Sequence, residues 1–120
     1  MKIAFTTSGD DLSSKLDSRF GRAPKFLIYD LDVDRFEVID NKQNLNAAQG
    51  AGIQSAETVI RSGAKVLLTG DCGPKASQVL KSAGVKIFIA TAESITDALE
   101  QYRSGKLSEA DDRGIKGYWA

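Results

Sequence analysis

The stretch Lys65-Val66-Leu67-Leu68-Thr69-Gly70-Asp71-Cys72-Gly73-Pro74-Lys75-Ala76 passes from a continuous apolar run, through a glycine-flanked turn, into the start of a helix. Val66-Leu67-Leu68 has the pattern of a strand covered on both faces. Ala76, Val79, Leu80 and Ala83 then recur at helical spacing, and Gly84 closes that helix. A buried strand that feeds directly into a helix predicts an α/β fold.

The pattern repeats on both sides. Upstream, Ile53, Ala56 and Ile60, helped by Val59, form one apolar stripe that stops at Gly63. Downstream, Val85, Ile87 and Ile89 alternate as a strand. Ser94-Ile95-Thr96-Asp97 has the form of a capping box, and Ile95, Ala98, Leu99 and Tyr102 supply the stripe of a last helix ending near Gly105. The first half differs. Lys2 to Thr7 reads as a strand halted by the turn formers Ser8-Gly9-Asp10-Asp11, and a polar loop runs to about Ala23. Lys25 to Asp32 and Arg35 to Asp40 read as two strands of an antiparallel hairpin joined through Asp32-Val33-Asp34. Asn41 to Gln49, rich in Asn, Gln and Ala, reads as an exposed loop.

The predicted order is βββαβαβα: a five-stranded mixed sheet with the hairpin as its antiparallel edge, the first strand central and helices on both faces. Residues 1–105 make one α/β domain, and residues 106–120 a polar, loosely held C-terminal tail. Ligands of open α/β sheets sit at the carboxyl ends of parallel strands, which here are the loops after Thr7, Thr69 and Ala90.

Composition narrows the function. The chain has 120 residues, of which 42% are hydrophobic, enough for one core without staples. Its 16 basic residues balance 16 acidic ones, so no global field draws it to nucleic acid or membrane. Met1 to Ser8 has too short an apolar run for a secretory signal, and no stretch approaches the ~20 apolar residues that span a bilayer. Cys72 is the only cysteine, which excludes an internal disulfide and makes a reducing cytoplasm the simplest location. Histidine is absent, so a Ser-His nucleophile and histidine-based zinc sites are ruled out, and one cysteine cannot cradle an iron–sulfur cluster from a single chain.

Three segments could carry chemistry. In Gly70-Asp71-Cys72-Gly73-Pro74-Lys75-Ala76, Pro74 suits the first helical turn and the amides of Gly73, Lys75 and Ala76 could face an anion. Cys72 sits ahead of the helix start. Either the helix dipole favours its thiolate, a ligand for soft metals, or it is a small buried apolar residue. In Asp17-Ser18-Arg19-Phe20-Gly21-Arg22-Ala23-Pro24, Arg19 and Arg22 offer planar donors, Phe20 an apolar wall and Gly21 a close backbone approach. Alternatively the arginines pair with Asp17 or Asp10 in a solvated loop. Gln49-Gly50-Ala51-Gly52-Ile53-Gln54-Ser55-Ala56 superficially looks like a dinucleotide fingerprint, but Ser55 stands at the third glycine and a long loop precedes it. It remains a glycine-rich helix start, serving either anion approach or flexibility.

Hydrolytic carboxylate sites fit poorly. Asp10, Asp11 and Asp71 lie near strand ends, but phosphoacceptor receivers repeat βα units from the start, whereas this chain opens with a hairpin. Nucleases of the ribonuclease H type share the element order and need a carboxylate on the first strand, where Lys2-Ile3-Ala4-Phe5-Thr6-Thr7 carries none. No nucleophile and base can be paired, so the chain is read as a non-enzyme.

Together, Ser18-Arg19-Phe20-Gly21-Arg22-Ala23-Pro24 before a strand, Gly50-Ala51-Gly52 opening a helix, and Thr69-Gly70-Asp71-Cys72-Gly73-Pro74-Lys75-Ala76 after a buried strand resemble the dinitrogenase iron-molybdenum cofactor biosynthesis family, from Met1 to about Trp119. The resemblance implies a ribonuclease H-like fold used for binding, in a small stand-alone member of the orange-protein type. It also implies an anionic metal–sulfur cluster as cargo: iron–sulfur, molybdenum–iron–sulfur or molybdenum–copper sulfide. Arg19, Phe20, Gly21, Arg22, Gln49, Gly50, Gly52, Gly70, Cys72, Gly73 and Lys75 would surround it, with Cys72 as the optional metal ligand and cluster donor or acceptor proteins as partners. Several relatives carry histidine where Gln49 and Gly117-Tyr118-Trp119 stand here, so histidine ligation is not open to this chain. The other reading is a regulatory or scaffold module that binds a protein partner or a small phosphate-like anion.

Overall fold

The computed structural model describes residues 1–41 and 51–110. Five strands, β1 (Lys2–Thr7), β2 (Lys25–Asp30), β3 (Arg35–Asp40), β4 (Val66–Thr69) and β5 (Lys86–Ile89), form one sheet in the order β3-β2-β1-β4-β5. β1 is central, antiparallel to β2 and parallel to β4, while β2–β3 is antiparallel and β4–β5 parallel. The mixed sheet, its hairpin edge and its central first strand are as the sequence predicts.

Alternation along the strands builds two cores. Ala4, Phe26, Ile28, Leu67 and Ile87 point to the face covered by α1 (Ala51–Arg61) and α2 (Pro74–Ser82). Ile3, Phe5, Leu27, Tyr29, Val66 and Leu68 point to the opposite face, covered by α3 (Ile95–Arg103). A strand with both faces covered needs apolar residues at every position, and Val66–Thr69 is buried throughout. β3 lies at the edge and is largely exposed.

The helix ends follow their sequence signals. Gly63, Gly84 and Gly105 take φ of 87°, 85° and 74°, a left-handed conformation that L side chains rarely adopt. After α2, the Gly84 amide donates to Lys81 C=O and the Val85 amide to Leu80 C=O, satisfying two terminal carbonyls.

Two expectations change. Asn41, assigned to an exposed loop, is fully buried and hydrogen-bonded, while the rest of that loop to Gln49 lies outside the described residues. Beyond α3 the chain returns to the sheet edge: Glu109 bridges Phe88, the Ala110 amide donates to Ile87 C=O at 2.7 Å, and Lys81 Nζ donates to Ala110 C=O. An apolar strand edge offers free backbone groups, and this segment uses them despite its polar side chains. Among the described residues no helix is long and apolar enough to cross a membrane.

Candidate functional site

The loop after β4 is held against the loop before β2. Gly70 approaches Ser18 so closely that an added Cβ would lie 2.7 Å from the Ser18 Cα. One residue further on, Asp71 C=O accepts the Phe20 amide at 3.0 Å. The buried hydroxyl of Thr6 joins the two loops from below, donating to Asp17 C=O at 2.7 Å and lying 3.0 Å from Thr69 Oγ1.

A 3-10 turn, Phe20–Arg22, follows, with Phe20 buried against Phe26 at a ring separation of 5.4 Å. Asn41 ties this turn to α1. Its Nδ2 donates to Ala23 C=O at 2.9 Å and to Ser55 Oγ at 3.0 Å, and its amide donates to Pro24 C=O. Ser55, the residue that spoils a dinucleotide fingerprint, is thus a buried hydrogen-bond partner. The starts of α1 and α2 adjoin, since a Cβ on Gly52 would lie 3.6 Å from Ala76 Cβ.

Between these three pieces opens a cleft of about 650 Å³. Phe20 and Gly21 line it from the 3-10 turn, Gly52 and Ile53 from α1, and Gly73 to Ala76 from α2. The α2 start presents backbone donors. Gly73 is its N-cap and offers no capping side chain, and Pro74 at the first position has no N–H. No carbonyl or side chain among the described residues accepts from the amides of Gly73, Lys75 or Ala76, and the first internal bond of the helix is Ser77 N–H to Gly73 C=O. Among the described residues Lys75 is the one charged residue that lines the cleft, and its exposed ammonium stands at the positive end of the helix dipole. An anion would relieve both features.

The predicted site residues therefore divide. Phe20, Gly21, Gly52, Gly73 and Lys75 meet in the cleft. Arg19 and Arg22 flank the 3-10 turn residues that line it, and both are exposed. Of the carboxylates suggested as their partners, Asp10 pairs with Lys25 Nζ and Asp17 accepts the Arg19 backbone amide at 2.9 Å. Gly70 serves the contact with Ser18 and does not line the cleft. Gln49 and Gly50 lie outside the described residues. Of the three loops expected to hold a ligand, the one after Thr7 reaches the cleft through Phe20 and Gly21 and the one after Thr69 through Gly73, while no described residue of the one after Ala90 lines it.

Cys72 takes the second of its two sequence readings, the small buried apolar residue. It is 1% exposed, packs in the core with Ala56 and Leu80, and does not line the cleft. Burial pushes its thiol from an ordinary value of 9.0 up to about 11; the Ser77 hydroxyl opposes the rise and the Asp71 charge adds to it. Desolvation outweighs any help from the helix dipole, so the neutral thiol is the form present near pH 7. Among the described residues no three His, Cys, Asp or Glu side chains gather to hold a metal ion.

Ile53, Asn41 and Ser55 are the site residues that sequence reasoning missed. Ile53 was readable only as part of a core stripe, yet as the first stripe residue of α1 it borders the cleft. Asn41 carried a faint signal, a polar residue directly at the end of a strand. Ser55 carried another, a small hydroxyl on the apolar face of a helix.

The geometry has counterparts. The dinitrogenase iron-molybdenum cofactor family profile matches residues 1–105. The apo form of the orange protein from Desulfovibrio gigas superposes with a TM-score of 0.91 at 36% identity, covering 96% of this chain and 95% of that one. A Thermotoga protein provisionally named NifB, solved by NMR, superposes with a TM-score of 0.79 at 31% identity over 90% and 91%. An uncharacterised protein of Methanocaldococcus jannaschii is 30% identical over 112 residues, 91% of each chain. The chain belongs to the dinitrogenase iron-molybdenum cofactor family.

Proposed function

We propose that this protein is a carrier for an anionic metal–sulfur cluster and that the cleft between the 3-10 turn, α1 and α2 is its seat. The observation behind this reading is the set of amides on Gly73, Lys75 and Ala76, which have no acceptor among the described residues and border a cleft of about 650 Å³ in a chain of this family. A sulfide-rich cluster bears several negative charges, and each charge-assisted hydrogen bond to it contributes about 1.5–3 kcal/mol. Lys75 adds a mobile charge inside the cleft, and Arg19 and Arg22 add planar donors beside it. With no histidine in the chain and the single thiol buried, the cluster is held without covalent bonds to this protein. Such a hold suits a cargo that must leave again.

On this reading the chain catalyses nothing and works in a reducing cytoplasm, between proteins that supply and receive the cluster. Its sheet is ribonuclease H-like, and residues 1–105 form the working unit. A molybdenum–copper sulfide of the orange-protein type is the preferred cargo, ahead of iron–sulfur and molybdenum–iron–sulfur clusters, because it needs no thiolate cage.

Anaerobic reconstitution tests the reading. Protein mixed with tetrathiomolybdate and cuprous ion, or with ferrous ion and sulfide, is passed through a gel-filtration column. A stoichiometric coloured complex is expected from one mixture, weaker in Lys75→Ala and in Arg22→Ala and looser at high salt. If the wild-type chain leaves the column colourless from both mixtures, the carrier reading is wrong.

A further inference from the structure

Most of the described glycines answer to the fold. Gly63, Gly84 and Gly105 have positive φ. A Cβ on Gly9 would overlap the Ser14 side chain at 2.0 Å, and one on Gly70 would strike the Ser18 backbone. Gly52 and Gly73 are different. Gly73 has φ −66° and ψ 163°, a conformation open to any L residue, and a Cβ there would meet nothing within 4 Å. Gly52 lies in the first turn of α1, and its Cβ would make only an ordinary 3.6 Å contact with Ala76. Glycine within a helix is less favourable than alanine. The fold thus gains nothing from glycine at Gly52, and at Gly73, the N-cap of α2, serine or aspartate would serve it at least as well. Both line the same cleft, on facing helix starts.

We propose that Gly52 and Gly73 are specificity-determining residues, which leave the α1 and α2 backbones bare so that a compact inorganic sulfide anion can reach the α2 amides. The inference rests on the carrier reading and deepens it. A methyl group on Gly73 would stand beside the free amides, in space that a guest accepting from them must enter. A methyl group on Gly52 would narrow the gap to Ala76 from the other side. A bulky organic anion with a single protruding carboxylate could still thread past one methyl. A rounded cluster that presents several sulfides at once could not, because it needs the whole floor.

The test measures binding and stability of the same variants. Gly73→Ser, Gly52→Ala and the wild-type chain are titrated with tetrathiomolybdate plus cuprous ion, followed by absorbance and by the amide resonances of residues 52, 73, 75 and 76. Thermal unfolding of the unliganded proteins is recorded alongside. The expected result is an unchanged or higher Tm in both variants, with affinity lower by at least about tenfold, equivalent to about 1.4 kcal/mol. Wild-type affinity in both variants, with a coloured wild-type complex, overturns the glycine inference and leaves the carrier reading standing. A lower Tm in both also overturns it, since the fold would then need these glycines. Failure of the wild-type chain itself to bind overturns the carrier reading, and the glycine inference with it.

Discussion

Two helices begin just beyond the ends of adjacent parallel strands, and the chain treats their first turns in opposite ways. At α3 every early donor is occupied. Ser94 Oγ accepts the Asp97 amide at 3.1 Å, the Ile95 amide donates to Ser14 C=O, and the Thr96 amide donates to Leu12 C=O, both at 2.9 Å. Asp97 adds a negative charge in that first turn. At α2 the N-cap is a glycine, the first turn has no acid, a lysine sits against the dipole, and three amides find no acceptor among the described residues. Capping and charge placement each contribute about 0.3–2 kcal/mol, so the contrast has a measurable cost to α2. A helix start finished by its own chain is structural, and one left open beside a cleft is available to a guest.

The largest expected effect comes from breaking the frame that holds the open start. Gly70→Ala places a Cβ 2.7 Å from Ser18 Cα and 2.9 Å from Ser18 C=O, so the backbone ahead of the 3-10 turn must move. Chemical denaturation should show a loss of about 1–3 kcal/mol, and reconstitution should show a weaker complex because Phe20 and Gly21 leave their places. Equal stability and equal binding would mean that the two loops are not mechanically joined.

Ser94→Ala attacks the closed start. It should cost about 1 kcal/mol of stability and leave cluster binding as it was, since α3 lies on the opposite face from the cleft. Gly73→Asp should do the reverse. Its carboxylate would cap the free amides of α2 and raise stability by a few tenths of a kcal/mol, while filling the anion's place and abolishing the coloured complex. If both variants lose stability and binding together, the division between a structural and a functional helix start is false.

How legible this was from residues alone depends on the distance over which each signal acts. The strands, helix stops and Ser94 cap were readable because Val66-Leu67-Leu68, the three terminal glycines and Ser94–Asp97 act within a few residues of themselves. The meeting of Phe20, Gly21, Gly52, Gly73 and Lys75 was readable only as an expectation, because each lies at a strand end or a helix start and topology brings such places together. Asn41 and Ser55 were not readable as partners, since a buried Asn beside a strand has no periodicity and its hydrogen bonds span 18 and 14 residues. Gly70 resembled its neighbour Gly73 in sequence, yet only the position of Ser18 separates a packing glycine from a cleft glycine. Cys72 was left with two readings for a different reason, because local electrostatics and burial oppose each other and the sequence discloses only the first.

That opposition yields the smallest effect. Cys72 belongs to the same loop as the open amides, so a thiolate there would be the natural gain from an uncapped helix start. Its side chain instead turns into the core, where burial raises the thiol to about 11. The folded chain then holds the proton more tightly than the unfolded chain does, so stability is intact below pH 9 and declines as pH rises from about 9 to about 11. Near neutral pH the thiol should react slowly with a disulfide reagent under native conditions and quickly once unfolded. Cys72→Ala should retain the coloured complex, flatten the alkaline loss of stability, and cost only a small packing loss at pH 7. A complex lost in Cys72→Ala with its fold intact would restore the thiolate ligand, and the open start of α2 would then owe part of its function to sulfur.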